Sequence, residues 1–330
     1  MTALPQSMRA ITIREPGGPE VLQMAELPIP KIAPHQVLVK VTAAGVNGPD
    51  LLQRRGHYPP PPGASELVGL EISGEVIAIG ADCQRWNVGD SLCALTNGGG
   101  YAEYVAIDGN HCIALPKGVS EIDAAGLPET FFTVYSNIFH GHDVPEGANL
   151  LIHGGAGGIG STAVQLGAAM GLNMMATVSS AESAAFVTEL GAARAINYKE
   201  DDFVEVVRDA GGADIILDIV GGDYIARNMK AARHDARIIQ LAFNKGSKVE
   251  VNLMPIMLKR LTLTGSTLRS RPPEFKAAVA AGVESNVWPL IASGKIKSVT
   301  HTTFPMAEAT KAHEMMEASA HRGKIILTMA

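Results

Sequence analysis

Cysteine is scarce. The 330 residues contain three, Cys83, Cys93 and Cys112, and no CxxC pair. Nothing here can build a disulfide framework, and the low count suits a reducing, cytoplasmic compartment. Long apolar runs are missing too. None approaches the roughly 18 residues a membrane span needs. The opening MTALPQSMRAITI lacks the basic and then apolar regions of a secretory signal. Positive charge is not in excess: Lys and Arg total 27 against 33 Asp and Glu, a net −6. That balance argues against a nucleic-acid partner, which wants a basic patch. Repeats are absent, and the one low-complexity tract is Pro59–Pro62. What remains is a globular composition, 46% hydrophobic and 18% charged, in a chain long enough for two domains.

The first third reads as strands and turns. MRAITI, VLVKVTAAGV, EISGEVIAIG and YAEYVAI are short, rich in β-branched residues and bounded by Gly, Pro or Asp. DLLQRRG reads as a helix capped by Asp50 and ended by Gly56. From Leu127 the rhythm changes. Apolar strands (ANLLIH, NMMATV, ARAINY, ADIILDIV, ARIIQLAF, LTLTGSTL) alternate with helical stretches such as STAVQLGAAMG and YIARNMKAARH. That alternation predicts a parallel sheet with crossover helices. The tail predicts one helix, PPEFKAAVAAGVESNVWPLIASG, and a last strand, GKIILTM, that rejoins the first domain. The expected division is a discontinuous substrate domain, 1–123 and 269–330, around a cofactor domain, 124–268.

One stretch carries chemistry. Gly155-Ala-Gly157-Gly158-Ile159-Gly160 fits G-x-G-x-x-G, follows a strand and opens a helix, which is the context a dinucleotide fingerprint needs. Gly155 is expected to allow the tight turn, Gly157 the close approach of a pyrophosphate, and Gly160 the packing of helix on strand. The helix N-terminus would offer free N–H groups to phosphate. An NAD site usually sets an acid at the end of the second strand. Here that strand ends in Ser179 and Ser180, with Glu182 two residues on. Two small neutral donors favour NADPH, with NADH still possible; either serine also suits a helix N-cap.

Taken in order, NGPDLLQRRGHYPPPPGAS, GLEISGEVIAIG, NVGDSLCALTNGGGYAEYV, HGGAGGIG, INYKEDDF, LRSR and GKIIL resemble the zinc-free quinone oxidoreductases. These form the zeta-crystallin-like group of the medium-chain dehydrogenase/reductase superfamily. The resemblance runs from Met8 onward. It implies an α/β protein with a GroES-like, mostly-β catalytic domain and a Rossmann cofactor domain, a doubly wound parallel sheet. It also implies NADPH-dependent hydride transfer to a quinone or similar electrophilic carbonyl, without zinc. An enone or enal reductase is the alternative, and a non-enzymatic NADPH-binding role is a third reading. Zinc-dependent cousins carry Cys where this chain has Asn47 and His where it has Leu70. Glu71 and Asp50 remain as possible oxygen ligands.

The resemblance also implies site residues. Tyr58 faces the nicotinamide in the family and would donate to the acceptor oxygen or hold the cofactor; a packing role in its loop is the plain alternative. Asn47 would fix a carbonyl or the nicotinamide, or merely serve a turn. Thr133 matches a threonine near the nicotinamide. Tyr198 matches a tyrosine at the adenosine phosphate, but the lysine the family often sets early in the second Rossmann helix is missing from Ala181-Glu182-Ser183. Leu241, Phe243, Ser266, Thr267 and Leu268 follow sheet strands and would line the nicotinamide side. Arg269 and Arg271 would steer an anion or stay solvated. A homodimer is expected through the LTLTGSTL edge.

Overall fold

The computed structural model describes residues 5–329. Met1 to Leu4, within the MTALPQSMRAITI reading, and Ala330 lie outside the described residues. Contacts divide the chain into two compact units. One takes in the chain up to Phe132, Arg269–Gly294 and everything from Ser298 on; the other is Thr133–Leu268 with Lys295–Lys297.

The first unit is mostly β. β1 (Ser7–Ile13) and β2 (Leu22–Pro28) pair antiparallel. β3 (Gln36–Val46), β4 (Glu71–Ile79), β5 (Ser91–Leu95), β6 (Tyr104–Asp108) and β7 (Cys112–Ala114) form most of a seven-stranded sheet. Val37, Val39 and Val41 of β3 meet Ile72 and Val76 of β4 and Leu92 of β5 in its core. Each such side chain contributes about 1.5–3 kcal/mol on burial. α1 (Gly48–Arg54) follows β3, and α2 (Glu121–Ala124) precedes α3 (Pro128–Ile138), which leads into the second unit. Asn47, not Asp50, is the N-cap of α1. Asp50 sits three residues in and its Oδ2 accepts from Asn47 N at 2.9 Å, the reverse half of a capping box. Gly56 ends the helix at φ +77°, as expected. The YAEYVAI strand starts only at Tyr104, because Tyr101 turns inward and donates its hydroxyl to Asp50 at 3.3 Å.

The second unit holds β8 (Asn149–Ile152), α4 (Gly158–Ala169), β9 (Asn173–Val178), α5 (Ala181–Glu189), β10 (Arg194–Asn197), α6 (Phe203–Asp209), β11 (Ala213–Asp218), α7 (Tyr224–Ala231), β12 (Ala232–Gln240), α8 (Met254–Lys259) and β13 (Thr262–Gly265). Every strand pair is parallel, in the order β10-β9-β8-β11-β12-β13. Counted within the unit this is 3-2-1-4-5-6, the doubly wound dinucleotide order. β8, the first strand, is buried throughout, as a strand covered on both faces must be.

The tail returns to the first unit. The single helix expected there is two, α9 (Pro273–Asn286) and α10 (Trp288–Ala292), because Pro289 has no N–H with which to continue α9. β14 (Thr300–Pro305), α11 (Ala309–Glu317) and β15 (Lys324–Thr328) follow, and β15 lies between β14 and β3. No helix among the described residues is long and apolar enough to cross a membrane.

Candidate functional site

In the second unit the crossover from β8 into α4 is built from glycine, though not with the division of labour read from the motif. The left-handed residue is Gly154, at φ +73°; Gly155 has no positive φ. Gly155 is needed for contact instead, since a Cβ there would lie 2.7 Å from Ala176 Cβ. Gly160 presses α4 onto the loop, and its Cβ would fall 2.2 Å from the Gly154 carbonyl oxygen. Gly157 is open: an added Cβ would meet only that same oxygen, at 3.7 Å. Ser161 is the first amide of α4 to bond back, to Gly157 O at 2.8 Å. Among the described residues the amides of Gly158, Ile159 and Gly160 therefore have no backbone partner at the helix start, the arrangement that suits phosphate.

Beneath this loop runs a buried polar chain. His153 Nδ1 meets Thr177 Oγ1 at 3.1 Å, and its Nε2 meets Asn228 Oδ1 at 2.7 Å. Asn228 Nδ2 then donates to Asp218 Oδ2 at 2.8 Å. Asp218 Oδ1 accepts the amides of Val220 and Gly221. Burial holds the His153 pKa below the ordinary imidazole value, so the ring is neutral. Since Asn228 Oδ1 can only accept, Nε2 carries the ring proton. The ends of β8, β9 and β11 are thus tied together by groups the sequence reading passed over.

At the end of β9, Ser180 caps α5, accepting from Ser183 N at 3.2 Å. The ladder runs one residue past β10, Tyr198 N donating to Val178 O at 3.1 Å, which sets Tyr198 beside Ser179, and Lys199 follows in the turn. Tyr198 is 44% exposed. The Lys199 ammonium has no ion-pair partner among the described residues. At the other side of the sheet, Leu241 N bonds Asp218 O at 2.8 Å and Ser266 N bonds Gln240 O at 3.3 Å. Phe243 is exposed, Leu268 buried. Thr133 and Ser266 are brought together through Asn137, whose amide donates to Thr133 O at 2.8 Å while its Oδ1 accepts from Ser266 Oγ at 2.9 Å. Thr267, exposed, lies between Ser266 and Leu268.

In the first unit the decisive group is one the sequence reading did not name. Lys324, at the start of β15, is buried, and its ammonium meets Glu71 Oε1 at 2.6 Å, Asn47 Oδ1 at 2.5 Å and Val46 O at 3.1 Å. Asn47 Nδ2 donates to the same Glu71 oxygen at 2.8 Å. Glu71 Oε2 accepts Glu129 N at 2.8 Å, at the start of α3. Gly45 makes room, since a Cβ there would overlap Glu71. The Asn47 side chain is spent within the protein. Tyr58 is half-buried. Burial, then the charge of Glu129, push its pKa up to about 12, so its hydroxyl keeps its proton. Burial and then Glu71 push Glu129 up to about 8. Arg269 is not a solvated steering group: it is buried, its guanidinium held by Asn97 O, Gln53 Oε1 and Tyr58 O. Arg271 instead stacks over Phe275, 3.7 Å from the ring centroid.

Two family models match the chain: an alcohol dehydrogenase GroES-like domain over residues 33–117 and a zinc-binding dehydrogenase over 158–284. With the parallel sheet, they define a medium-chain dehydrogenase/reductase. Human quinone oxidoreductase is 30% identical, over 98% of each chain. The structure of Escherichia coli quinone oxidoreductase complexed with NADPH superposes with a TM-score of 0.87 at 28% identity, covering 97% of this chain and 99% of that one. The CurK enoyl reductase structure gives 0.86 at 26%, covering 99% and 100%. The chain belongs to the quinone oxidoreductase family.

The second family model's description implies zinc. The residues do not fit it. Among the described residues no three His, Cys, Asp or Glu gather as a metal would require. Leu70 cannot ligate, and an ammonium already sits on Glu71 and Asn47.

Proposed function

We propose that the protein is a zinc-independent, NADPH-dependent oxidoreductase that reduces a quinone or a similar electrophilic carbonyl. The observation that carries this reading is the glycine loop on the first strand of a 3-2-1-4-5-6 sheet, with three unpaired amides and open space at Gly157. The names of the relatives supply the acceptor class. Bound NADPH would supply hydride from its nicotinamide. Gly155, Gly157, Gly158, Ile159 and Gly160 would hold the pyrophosphate. Ser179 and Tyr198 would take the 2′-phosphate, with Ser180 supporting as a cap and Lys199 supplying the positive charge absent from 181–183. Leu241, Phe243, Ser266, Thr267 and Leu268 would line the nicotinamide side, with Thr133 across from them.

A hydride alone leaves an oxyanion, so the acceptor oxygen needs a hydrogen-bond donor. Tyr58 supplies one that stays protonated at neutral pH, and Glu129 is a second group holding a proton there. Asn47 acts from behind, by holding Glu71 and Lys324, because its own amide is occupied. We assign the substrate domain to 1–123 with 269–330 and the cofactor domain to 124–268; the compact units differ in breaking at Phe132/Thr133 and in giving Lys295–Lys297 to the second. A second copy would pair along β13, whose four residues are all exposed. Three unpaired cysteines accord with a cytoplasmic location.

An enone reductase uses the same hydride and is favoured by the likeness to an enoyl reductase. The test follows NADPH oxidation by chelator-treated protein with 1,2-naphthoquinone and, separately, with an enone. Turnover with the quinone supports the proposal. Turnover with the enone alone moves the assignment to the second reading. A rate abolished by chelation and restored by zinc ends the metal-independent one.

A further inference from the structure

Two cations of the first unit, Arg269 and Lys276, are buried together. The Arg269 guanidinium gives Nε and Nη2 to the Asn97 carbonyl oxygen at 3.0 and 2.7 Å, and Nη1 to Gln53 Oε1 at 2.8 Å and Tyr58 O at 3.4 Å. Lys276 Nζ donates to Asn97 Oδ1 at 2.8 Å and to Arg269 O at 3.4 Å. Every one of these acceptors is neutral. Among the described residues no carboxylate lies within ion-pair distance of either cation. Asp108 is felt at Lys276, and Asp50 and Glu129 at Arg269, only through space. Lysine and arginine are rarely buried unless paired. Tying loops together needs donors, not charge, and a neutral amide would do it without the cost of burying an ion. The use of the charge therefore lies in what it faces. The guanidinium carbon of Arg269 stands 5.5 Å from the centre of the Tyr58 ring, within reach of a cation–π contact. Burial and then Glu129 bind the Tyr58 proton more tightly, and Arg269 opposes them.

We infer that Arg269 is a positioning residue for Tyr58, fixing its backbone and setting beside its ring a positive charge that no carboxylate cancels. The inference rests on the proposed role of Tyr58 as donor to the acceptor oxygen and deepens it. As hydride arrives, negative charge grows on that oxygen. A fixed cation beside the donor favours that charge and needs no rearrangement. Asn97 is the residue through which the field can be switched. An aspartate there keeps the shape, sits on Lys276 and beside Arg269, and ionises because both neighbours are cations.

The test uses the full chain, with hydride transfer to 1,2-naphthoquinone measured in a single turnover so that product release does not mask it. Asn97→Asp is expected to melt no lower than wild type, to bind NADPH as tightly, and to transfer hydride about tenfold more slowly. Tyr58→Phe is expected to be slower by about 10²-fold. Added to Tyr58→Phe, Asn97→Asp is expected to cost less than about twofold more, since the group it acts through is gone. Gln53→Glu brings the same charge to Arg269 Nη1 and replaces Asn97→Asp in the cycle if that variant does not fold. A rate within about twofold of wild type in the variant with the added carboxylate overturns the inference. So does an equal loss with and without the Tyr58 hydroxyl, which would mean that the charge acts elsewhere. An Asn97→Asp protein that melts lower than wild type would show the two cations already balanced and overturns it as well. A Tyr58→Phe protein at the wild-type rate would instead remove the reading of Tyr58 as donor, on which this one stands.

Discussion

Gly160 stands so close to Gly154 that a Cβ on the first would lie 2.2 Å from the carbonyl oxygen of the second. Three residues before Gly160, Gly157 has ordinary φ (−75°) and nothing nearer than 3.7 Å. One motif therefore holds two kinds of glycine, and alanine separates them. Gly160→Ala is expected to destabilise the fold by about 1–3 kcal/mol, the cost of overpacking. Gly157→Ala should melt within about 1 kcal/mol of wild type. Yet it should weaken NADPH binding at least tenfold, because its methyl enters the space left for the pyrophosphate. Denaturant titration and cofactor-fluorescence binding check both. A Gly157→Ala variant that binds normally places the phosphates elsewhere.

The choice of cofactor is expected to sit at the tips of β9 and β10. Ser180 is committed to Ser183, which leaves Ser179, Tyr198 and Lys199. Ser179→Asp puts a carboxylate where an NAD site has one and repels a 2′-phosphate. We expect the ratio of kcat/KM for NADPH over NADH to fall at least tenfold. Lys199→Ala should lower it several-fold, with affinity for 5′-AMP unchanged and for 2′,5′-ADP reduced. Equal loss for both nucleotides would show that Lys199 does not read the phosphate.

The polar chain under the loop gives a stability prediction. Asn228→Ala removes the partner of His153 Nε2–H and strands Asp218 Oδ2 in the interior. An unsatisfied buried group costs about 1–3 kcal/mol, and two are left. We expect a loss of about 2–4 kcal/mol in urea unfolding and faster hydrogen exchange at Val220 and Gly221. A change below about 0.5 kcal/mol would mean that the three strand ends are held by packing alone.

What could be read from the sequence was local and periodic. The alternation of apolar strands and helices after Leu127 sufficed for the parallel sheet, because each crossover buries its own strand. The G-x-G-x-x-G spacing located the loop, but only coordinates separate the left-handed Gly154 from the close-packed Gly155. Lys324 and Asn47 are 277 residues apart, and no periodicity or spacing joins them. The carboxyl of Glu129 is hidden from the sequence in the same way, since its state is set by burial and then by Glu71, a neighbour in space only. Arg269 shows the converse. Arginine in a polar stretch reads as solvated, and three separated positions, one on α1 and two in loops, had to converge before it could be buried.

Self-association is expected along β13. Among the described residues its outer edge has no partner strand, Leu263 is 43% exposed, and Met254, Met257 and Leu258 add apolar surface on the preceding helix. Leu263→Lys puts charge on that edge, which blunts pairing. Sedimentation should then show a monomer where wild type sediments as a dimer, with the melting transition still cooperative. A dimer that survives the substitution would place the contact on another face.

Glu129 sets a pH dependence whose sign follows from its environment. Its pKa rises from 4.5 to about 8, through burial first and the charge of Glu71 second. The folded chain therefore holds a proton that the unfolded chain releases between those values. Stability from this group is fully present below pH 4.5 and is lost as pH rises through about 8. Glu129→Gln keeps the hydrogen-bonding shape and never ionises. Relative to wild type it should be unchanged in stability near pH 4.5 and more stable at pH 9, by on the order of 1 kcal/mol or more. If Glu129 also gives its proton to the reduced acceptor, the quinone rate of wild type should fall above about pH 8, and the variant should be slower but flat through that range. Parallel stability curves for the two proteins would show that Glu129 titrates as an ordinary carboxylate, and the assignment of a proton to it at neutral pH would fall with them.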